Sequence, residues 1–579
     1  MNGCTSVKLL FCQSHQIQTG NISLALKFFS PLLLSTVEIF ASIRKFLQLG
    51  FAIVAFLNNK FPQANVNYPL KYKERMKVWE DGSKYFPASF FGLNWKMPKK
   101  TRKLQATPQP MLDAYEEGKL LAHMCQYGAG NSFLRRAVEQ NEYPFFKLVE
   151  RGSAFNSQHG LVLDLSQLDQ YETKTDYEPY GGIAFFFIKD RDLVTKWVIE
   201  PRSKSKTAQE PSSASFRRIE EMIRVSLIFC MAAGKHVAEI HMALNLLEIA
   251  LHNSFDYDLN PHFQPGDQFI AHPFRLVLYI HLFSHGLISE LQVCHVLQEG
   301  AVLNQVFALT HNSMCEYLTN AYDNFRYGED EDFAERSLAM HKLLHLDRGC
   351  PSFTCALQWE LEYHDIFDTY ANSVVGAMYA NDKDVRDDDA MRRFVASISS
   401  KLDDNSRYGT RKNGYMQTKA EIKNFVSDTI FHIIVKHQLY GTDGLTGMLD
   451  PRINSFQIPK DGGPPAIDEW RSLVFAAFAT AHPTFSLLLQ DQMATPVQLG
   501  EPILSDLFRD ATPINRNHSR QDKEMLITRL RGAWDQMQLD LRNKNIEWEY
   551  KGSGERAQND ENYMYCRCLP AELRTSAGY

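Results

Sequence analysis

The chain has 579 residues, of which 44% are hydrophobic and 22% charged, so it can bury a sizeable core. Its net charge of −6 leaves no basic footprint, and nucleic acid is not an expected partner. The ten cysteines are scattered, with Cys566 and Cys568 forming a lone C-x-C, so buried, reduced thiols in an intracellular protein are expected rather than a zinc site or a disulfide scaffold.

Residues 1–60 form a distinct apolar extension, "NISLALKFFSPLLLSTVEIFASIRKFLQLGFAIVAFLNNKF". Lys27, Glu38, Arg44 and Lys45 interrupt it, and the stretch from Phe46 to Asn59 falls short of the roughly 20 residues that span a bilayer. An amphipathic segment docking on the rest of the protein is expected. Peripheral membrane contact through residues 21–59 is the alternative. The expected location is cytoplasmic, with that membrane contact as its variant. Residues 60–110 are mixed, without clear periodicity.

The best strand candidates lie in "YGGIAFFFIKDRDLVTKWVIEP" (180–201), a β-branched and aromatic run bounded by glycine and charge. From Phe216 to about Gln438 the apolar periodicity is helical. Breaks rich in Pro and Gly occur at 256–268 and 450–466, the run "YANDKDVRDDDAMRR" reads as a solvated helix start, and Glu524 to Asn543 is a further helix. The last fifteen residues read as an extended tail. No repeat at solenoid periods appears, so residues 61–579 are expected to form one mainly helical unit.

The candidate chemistry begins in "MAAGKHVAEIHMALNLLEIALHNSF", where His236 and His241 stand five residues apart. On an α-helix that step leaves the side chains about 140° apart. A π-bulge between Lys235 and Leu244 would swing them toward one face, where two imidazoles suit a transition metal. The plainer alternative is two satisfied histidines on a helix surface. The glutamate within "HVAEIH" does not make a zinc protease, because both zincin patterns require a different spacing. Downstream, "EIKNFVSDTIFHIIVKHQLYG" repeats the five-residue step at His432 and His437, with a helix opening at Lys419 and Glu421. His272–Pro273 reads as a helix start with a satisfied polar core histidine. There is no Gly-x-Ser-x-Gly, no phosphate-binding loop and no dinucleotide fingerprint.

Taken in order, these segments resemble the catalytic domain of lipoxygenases. His-x4-His at His236 and His241, a helix ending at Phe255, the "HPFRLVLYIH" segment, "LEYHDIFDTYANSVVGAMYANDKDVRDDD" and the "TKAEIKNFVSDTIFHIIVKH" helix follow that family's sequence of motifs. The resemblance implies a mainly α fold, a large helical lipoxygenase-like catalytic domain with a few short strands. It implies an iron or manganese site with His236, His241 and His437 as ligands, and the α-carboxylate of Tyr579 as the fourth. Two positions depart from the pattern: Gly441 stands where the family often has Asn, and Tyr579 where it normally ends in Ile. No counterpart of the family's amino-terminal β-sandwich is evident. The activity implied is dioxygenation of polyunsaturated fatty acids by O2, through hydrogen abstraction at a bis-allylic carbon. The alternatives are an inactive or divergent relative, such as a fatty-acid hydroperoxide isomerase, or a membrane-associated interaction protein.

Overall fold

The computed structural model describes most of residues 109–136, 161–255, 272–282, 307–325, 351–399, 416–440, 455–467 and 508–553. The apolar extension 1–60, the break at 256–268 and the tail after 553 lie outside the described residues. Among the described residues, no helix is long and apolar enough to cross a membrane.

Helices α1 (Gln109–Glu116) and α2 (Leu120–Tyr127) precede a four-stranded antiparallel sheet in the order β1-β2-β3-β4. Its strands are β1 (Leu134–Arg136), β2 (Leu161–Asp164), β3 (Ile183–Lys189) and β4 (Asp192–Ile199). The strands expected at 180–201 are therefore a pair, registered Ile183 to Ile199 with an irregularity between Phe185 and Phe186. Both faces of this sheet are buried. Ala184 and Phe186 face the main core, whereas Ile183, Phe185, Trp197 and Ile199 join Val162 in a second cluster. That two-sided burial is why the run reads as almost continuously apolar instead of alternating. Gly182 enters β3 at φ +91°, and a Cβ there would lie 2.8 Å from the Ile223 side chain and 2.9 Å from the Ile199 carbonyl oxygen. Glycine meets both demands of this turn.

Helix α3 (Phe216–Phe229) packs on β3 and β4 and continues as the π-helical segment π1 (Cys230–Met242). Next come α4 (Pro273–Leu282), α5 (His311–Asn324) and the long α6 (Pro351–Met378), with proline at the first position of α4 and α6, where its missing N–H has no partner to lose. Helices α7 (Asp382–Arg386) and α8 (Asp389–Ser399) follow. Then α9 (Lys419–Phe431) runs into a second π segment, π2 (His432–Lys436), and α10 (His437–Tyr440). Two reciprocal caps start helices in this region: Thr418 with Glu421 at α9, and Asn381 with Asp384 at α7. Two short strands, β5 (Ser455–Gln457) and β6 (Ala466–Ile467), form a pair inside the stretch expected to be only a break. Their shortness hides them from a periodicity reading.

The last described helix, α11 (Arg520–Ser553), is longer at both ends than the 524–543 expected. Ser519 supplies the reason at its start: its hydroxyl accepts from the Asp522 N–H while the Asp522 carboxylate accepts from Ser519, a cap placed before the apolar pattern begins.

Helix α6 packs against both α9 and α11. Trp359, Tyr363, Phe367, Tyr370, Ala371 and Val374 recur at three- and four-residue steps on α6, giving it a broad apolar face. Opposite stand Ile422, Phe425, Val426 and Ile430 of α9, and Leu530, Trp534 and Leu541 of α11. Burying side chains of this size contributes about 1.5–3 kcal/mol each, so this three-helix layer is a principal source of stability. The exposed Gly532 of α11 leaves this helix room for improvement, because a Cβ there meets nothing within 4 Å. Gly532→Ala is expected to stabilise the protein by about 0.5–1 kcal/mol through reduced unfolded-chain entropy. A thermal unfolding midpoint that fails to rise would contradict this.

The charged run 379–393 is only partly the solvated helix start expected from its sequence. Asp382, Asp384 and Asp387 flank an exposed turn, but Asp388 is buried. Its Oδ2 lies 3.0 Å from His272 Nε2 and accepts from the Tyr379 hydroxyl at 2.7 Å. Its Oδ1 accepts from the N–H groups of Ala390 and Met391 at 3.0 and 3.1 Å, capping α8. One aspartate thus ties the starts of α4 and α8 together, and His272 is a buried core histidine, as its sequence context suggests, though among the described residues only its Nε2 has a hydrogen-bond partner.

Candidate metal centre

Two π segments face each other in the core. In a π turn the N–H of one residue reaches the carbonyl five residues back, so residues five apart stack along one face. His236 and His241 both lie on π1. His432 opens π2, and His437 is the residue that closes it. The π widening thus spans the interval that the five-residue step demanded, and it occurs at both places where that step occurs.

His236 and His437 are 4% and 3% exposed, and their ring centres stand 4.8 Å apart at a tilt of 58°. Two imidazoles bound at roughly right angles to one ion, with metal–nitrogen bonds of about 2.1 Å, would have ring centres roughly 4.6 Å apart. The observed separation is close to that value. Imidazole ligands suit iron, zinc, copper or nickel, and manganese is held more often through oxygen donors. The side chain of His241, Gly441 and the terminal Tyr579 all lie outside the described residues. Among the described residues, no three His, Cys, Asp or Glu side chains gather into a metal-holding group. His432 is buried on the same helix as His437, with the Phe325 ring 5.7 Å from its own.

The π1 segment is held from the side by α5. A Cβ at Gly234 would lie 2.5 Å from the Tyr317 hydroxyl, so glycine is what lets α5 approach this close, two residues before His236. Tyr317 is wedged between Phe229 and Tyr171, with ring centres 4.7 and 5.4 Å away. Burial raises its phenol well above the usual value, with the nearby Cys230 adding to the effect. Burial likewise pushes the Cys230 thiol up to about 12, which makes it an inert packing group rather than a nucleophile. Cys125, Cys230 and Cys315 are buried. Beyond the pair of imidazoles, Lys235 and Glu239 form an ion pair at 2.8 Å along π1.

Helix α9 and the π2 segment that continues it are held by α6 through polar contacts that the sequence did not reveal. Lys423 pairs with Asp368 at 2.7 Å, Asp428 with His364 at 3.1 Å, and Lys436 with Glu360 at 2.8 Å. Their acidic and basic members are scattered over two distant segments, and no local pattern links them. The one available signal was the four-residue spacing of Glu360, His364 and Asp368, which places them on one face of α6.

No family profile matches the chain, and no curated protein matches it in sequence. Solved structures do. A crystal structure of a Delta413-417:GS LOX aligns with a TM-score of 0.59 at 12% identity, over 93% of this chain and 74% of that one. The manganese lipoxygenase of Gaeumannomyces graminis aligns at 0.57 and 11% identity, over 88% of this chain and 92% of that one. A fungal lipoxygenase from Fusarium graminearum aligns at 0.55 and 12% identity, over 93% and 90% of the two chains. At such identities the likeness is one of architecture: the chain has a lipoxygenase-like, mostly helical fold with a small antiparallel sheet.

Proposed function

We propose that this protein is a non-haem metal dioxygenase that converts polyunsaturated fatty acids and O2 into lipid hydroperoxides. The observation that carries this reading is the meeting of His236 and His437, delivered by two separate π segments to a ring separation of 4.8 Å in a lipoxygenase-like fold. His236, His241 and His437 would hold the metal, with the carboxylate of Tyr579 as the fourth donor. Iron and manganese are the candidate ions, and one structural neighbour is named a manganese lipoxygenase. When bound, such an ion supplies the one-electron redox chemistry needed to take a hydrogen atom from a bis-allylic carbon.

The chain's own part is positioning and exclusion. The two described histidines sit on segments that mix buried apolar residues, Val237, Ala238 and Ile240 on one and Ile433, Ile434 and Val435 on the other, with the paired charges of Lys235, Glu239 and Lys436. These apolar residues belong to the buried core around the two segments, and an apolar surround of that kind would suit an acyl chain. One neighbouring structure is titled as a lipoxygenase complex with arachidonate, which makes arachidonate the first substrate to offer.

The test is metal analysis of the purified chain, followed by incubation of the metal-loaded protein with arachidonate or linoleate. Stoichiometric iron or manganese and growth of conjugated-diene absorbance are expected. Metal without diene formation, but with turnover of a fatty-acid hydroperoxide, would replace the dioxygenase by an isomerase. A chain that takes up neither metal would overturn the enzyme reading.

A further inference from the structure

The innermost rung of the ladder between α6 and the His437 helix is an ion pair, Lys436 Nζ to Glu360 Oε2 at 2.8 Å, with side chains 6% and 3% exposed. The two outer rungs are more exposed, so the ladder runs from the surface inward and ends one residue before His437. Lys436 is further enclosed by aromatic faces. Its ammonium lies 5.7 Å from the Phe431 ring centre and 5.5 Å from that of Tyr440, whose hydroxyl donates to Ser132 Oγ at 2.8 Å.

A buried pair of this kind is hard to explain by stability. Taking both charges out of water is costly, and an apolar pair of similar volume often serves as well or better. Its location offers a different reason. Lys436 is the last residue of π2, and a π segment carries one residue more per turn than the helix on either side of it. If that extra residue were released and the segment relaxed to an α-helix, everything after it would rotate by about 100°. His437 would then turn away from His236. Anchoring the final π residue to a different helix opposes that rotation at the point where it would begin.

We propose that the Glu360–Lys436 pair is a register lock for the π2 turn, making both residues positioning residues for His437. The inference rests on the reading of His437 as a metal ligand. Partners outside the ligand set commonly change metal affinity by about 10–100-fold, and the lock should act on that scale.

The test uses the full chain stripped with chelator and titrated with Mn(II) alone, alongside thermal unfolding of the metal-free protein. Wild type should bind one equivalent. The double variant Glu360→Leu with Lys436→Met, which replaces the pair by an apolar one, should unfold near the wild-type midpoint when metal-free, yet bind Mn(II) about 10–100-fold more weakly. Lys436→Arg, which keeps a cation opposite Glu360, should bind close to wild type. A double variant with wild-type affinity overturns the lock while leaving the metal reading standing. A double variant that no longer folds without metal marks the pair as a stability element and also overturns the lock. Wild-type protein that takes up no Mn(II) overturns the metal reading, and this inference with it.

Discussion

Replacing His437 by alanine is expected to leave a folded protein that no longer retains its metal. His437 is 3% exposed and its ring stands 4.8 Å from that of His236, so it is the donor that this reading places opposite His236. Changing a partner outside the ligand set already costs about 10–100-fold in affinity, and removing a ligand should cost more than about 100-fold. The same loss has a thermal signature. A metal present at 100 times its dissociation constant stabilises the folded state by about 2.7 kcal/mol, so wild type should gain thermal stability on loading and His437→Ala should not. Metal content after gel filtration and the unfolding midpoint with and without Mn(II) check both statements. Retained stoichiometric metal together with a retained thermal shift would mean that another side chain, with His432 the nearest candidate on the same helix, is the third histidine ligand.

The second large effect concerns stability and lies away from the metal. Asp388→Ala is expected to destabilise the fold by about 2–4 kcal/mol, from losing the acceptor of buried hydrogen-bonding groups together with the cap of α8. Four hydrogen-bonding contacts meet at this carboxylate: the Tyr379 hydroxyl, His272 Nε2 and the N–H groups of Ala390 and Met391 in the first turn of α8. Alanine would leave all of them without this acceptor, two of them on side chains in the core. Asp388→Asn keeps an acceptor for the helix cap and should lose less, about 1–3 kcal/mol.

The pH dependence follows from the same contacts. Burial alone would raise the pKa of Asp388, but the hydrogen bond and charge of His272, with Tyr379 and the α8 N–H groups, outweigh it and hold the carboxyl below its usual value. A depressed folded-state pKa means a stabilising contribution fully present above the unfolded value of about 3.9 and lost as pH falls through the folded value. Unfolding midpoints measured from neutral pH downward should therefore fall more steeply below about pH 4 in wild type than in Asp388→Asn. Parallel acid profiles for the two proteins would contradict this account.

Much of the candidate centre was legible in the sequence because its signals are local. A five-residue step between histidines conflicts with α-helical geometry, and the conflict itself calls for a π turn. The step occurs twice, and both times the backbone widens there. The opening of α9 was readable for a similar reason, since Thr418 and Glu421 close a cap within a single turn. Asp388 shows where local reading stops. Among its acidic neighbours it looks like one more solvated charge, and its burial depends on a histidine 116 residues earlier in the chain. The Glu360–Lys436 pair, 76 residues apart, was invisible for the same reason.

By itself, then, the sequence determined the helical class, the strand pair at 180–201, the caps and the histidine spacing, because each depends on residues within one or two turns of one another. Only the tertiary structure decided which helices meet. It brought His437 to His236, set Tyr317 against Gly234, and chose Glu360 as the partner of Lys436. Those choices are made by packing between segments far apart in the chain, where the free energy comes from burying apolar faces against each other and from meeting the polar groups caught between them.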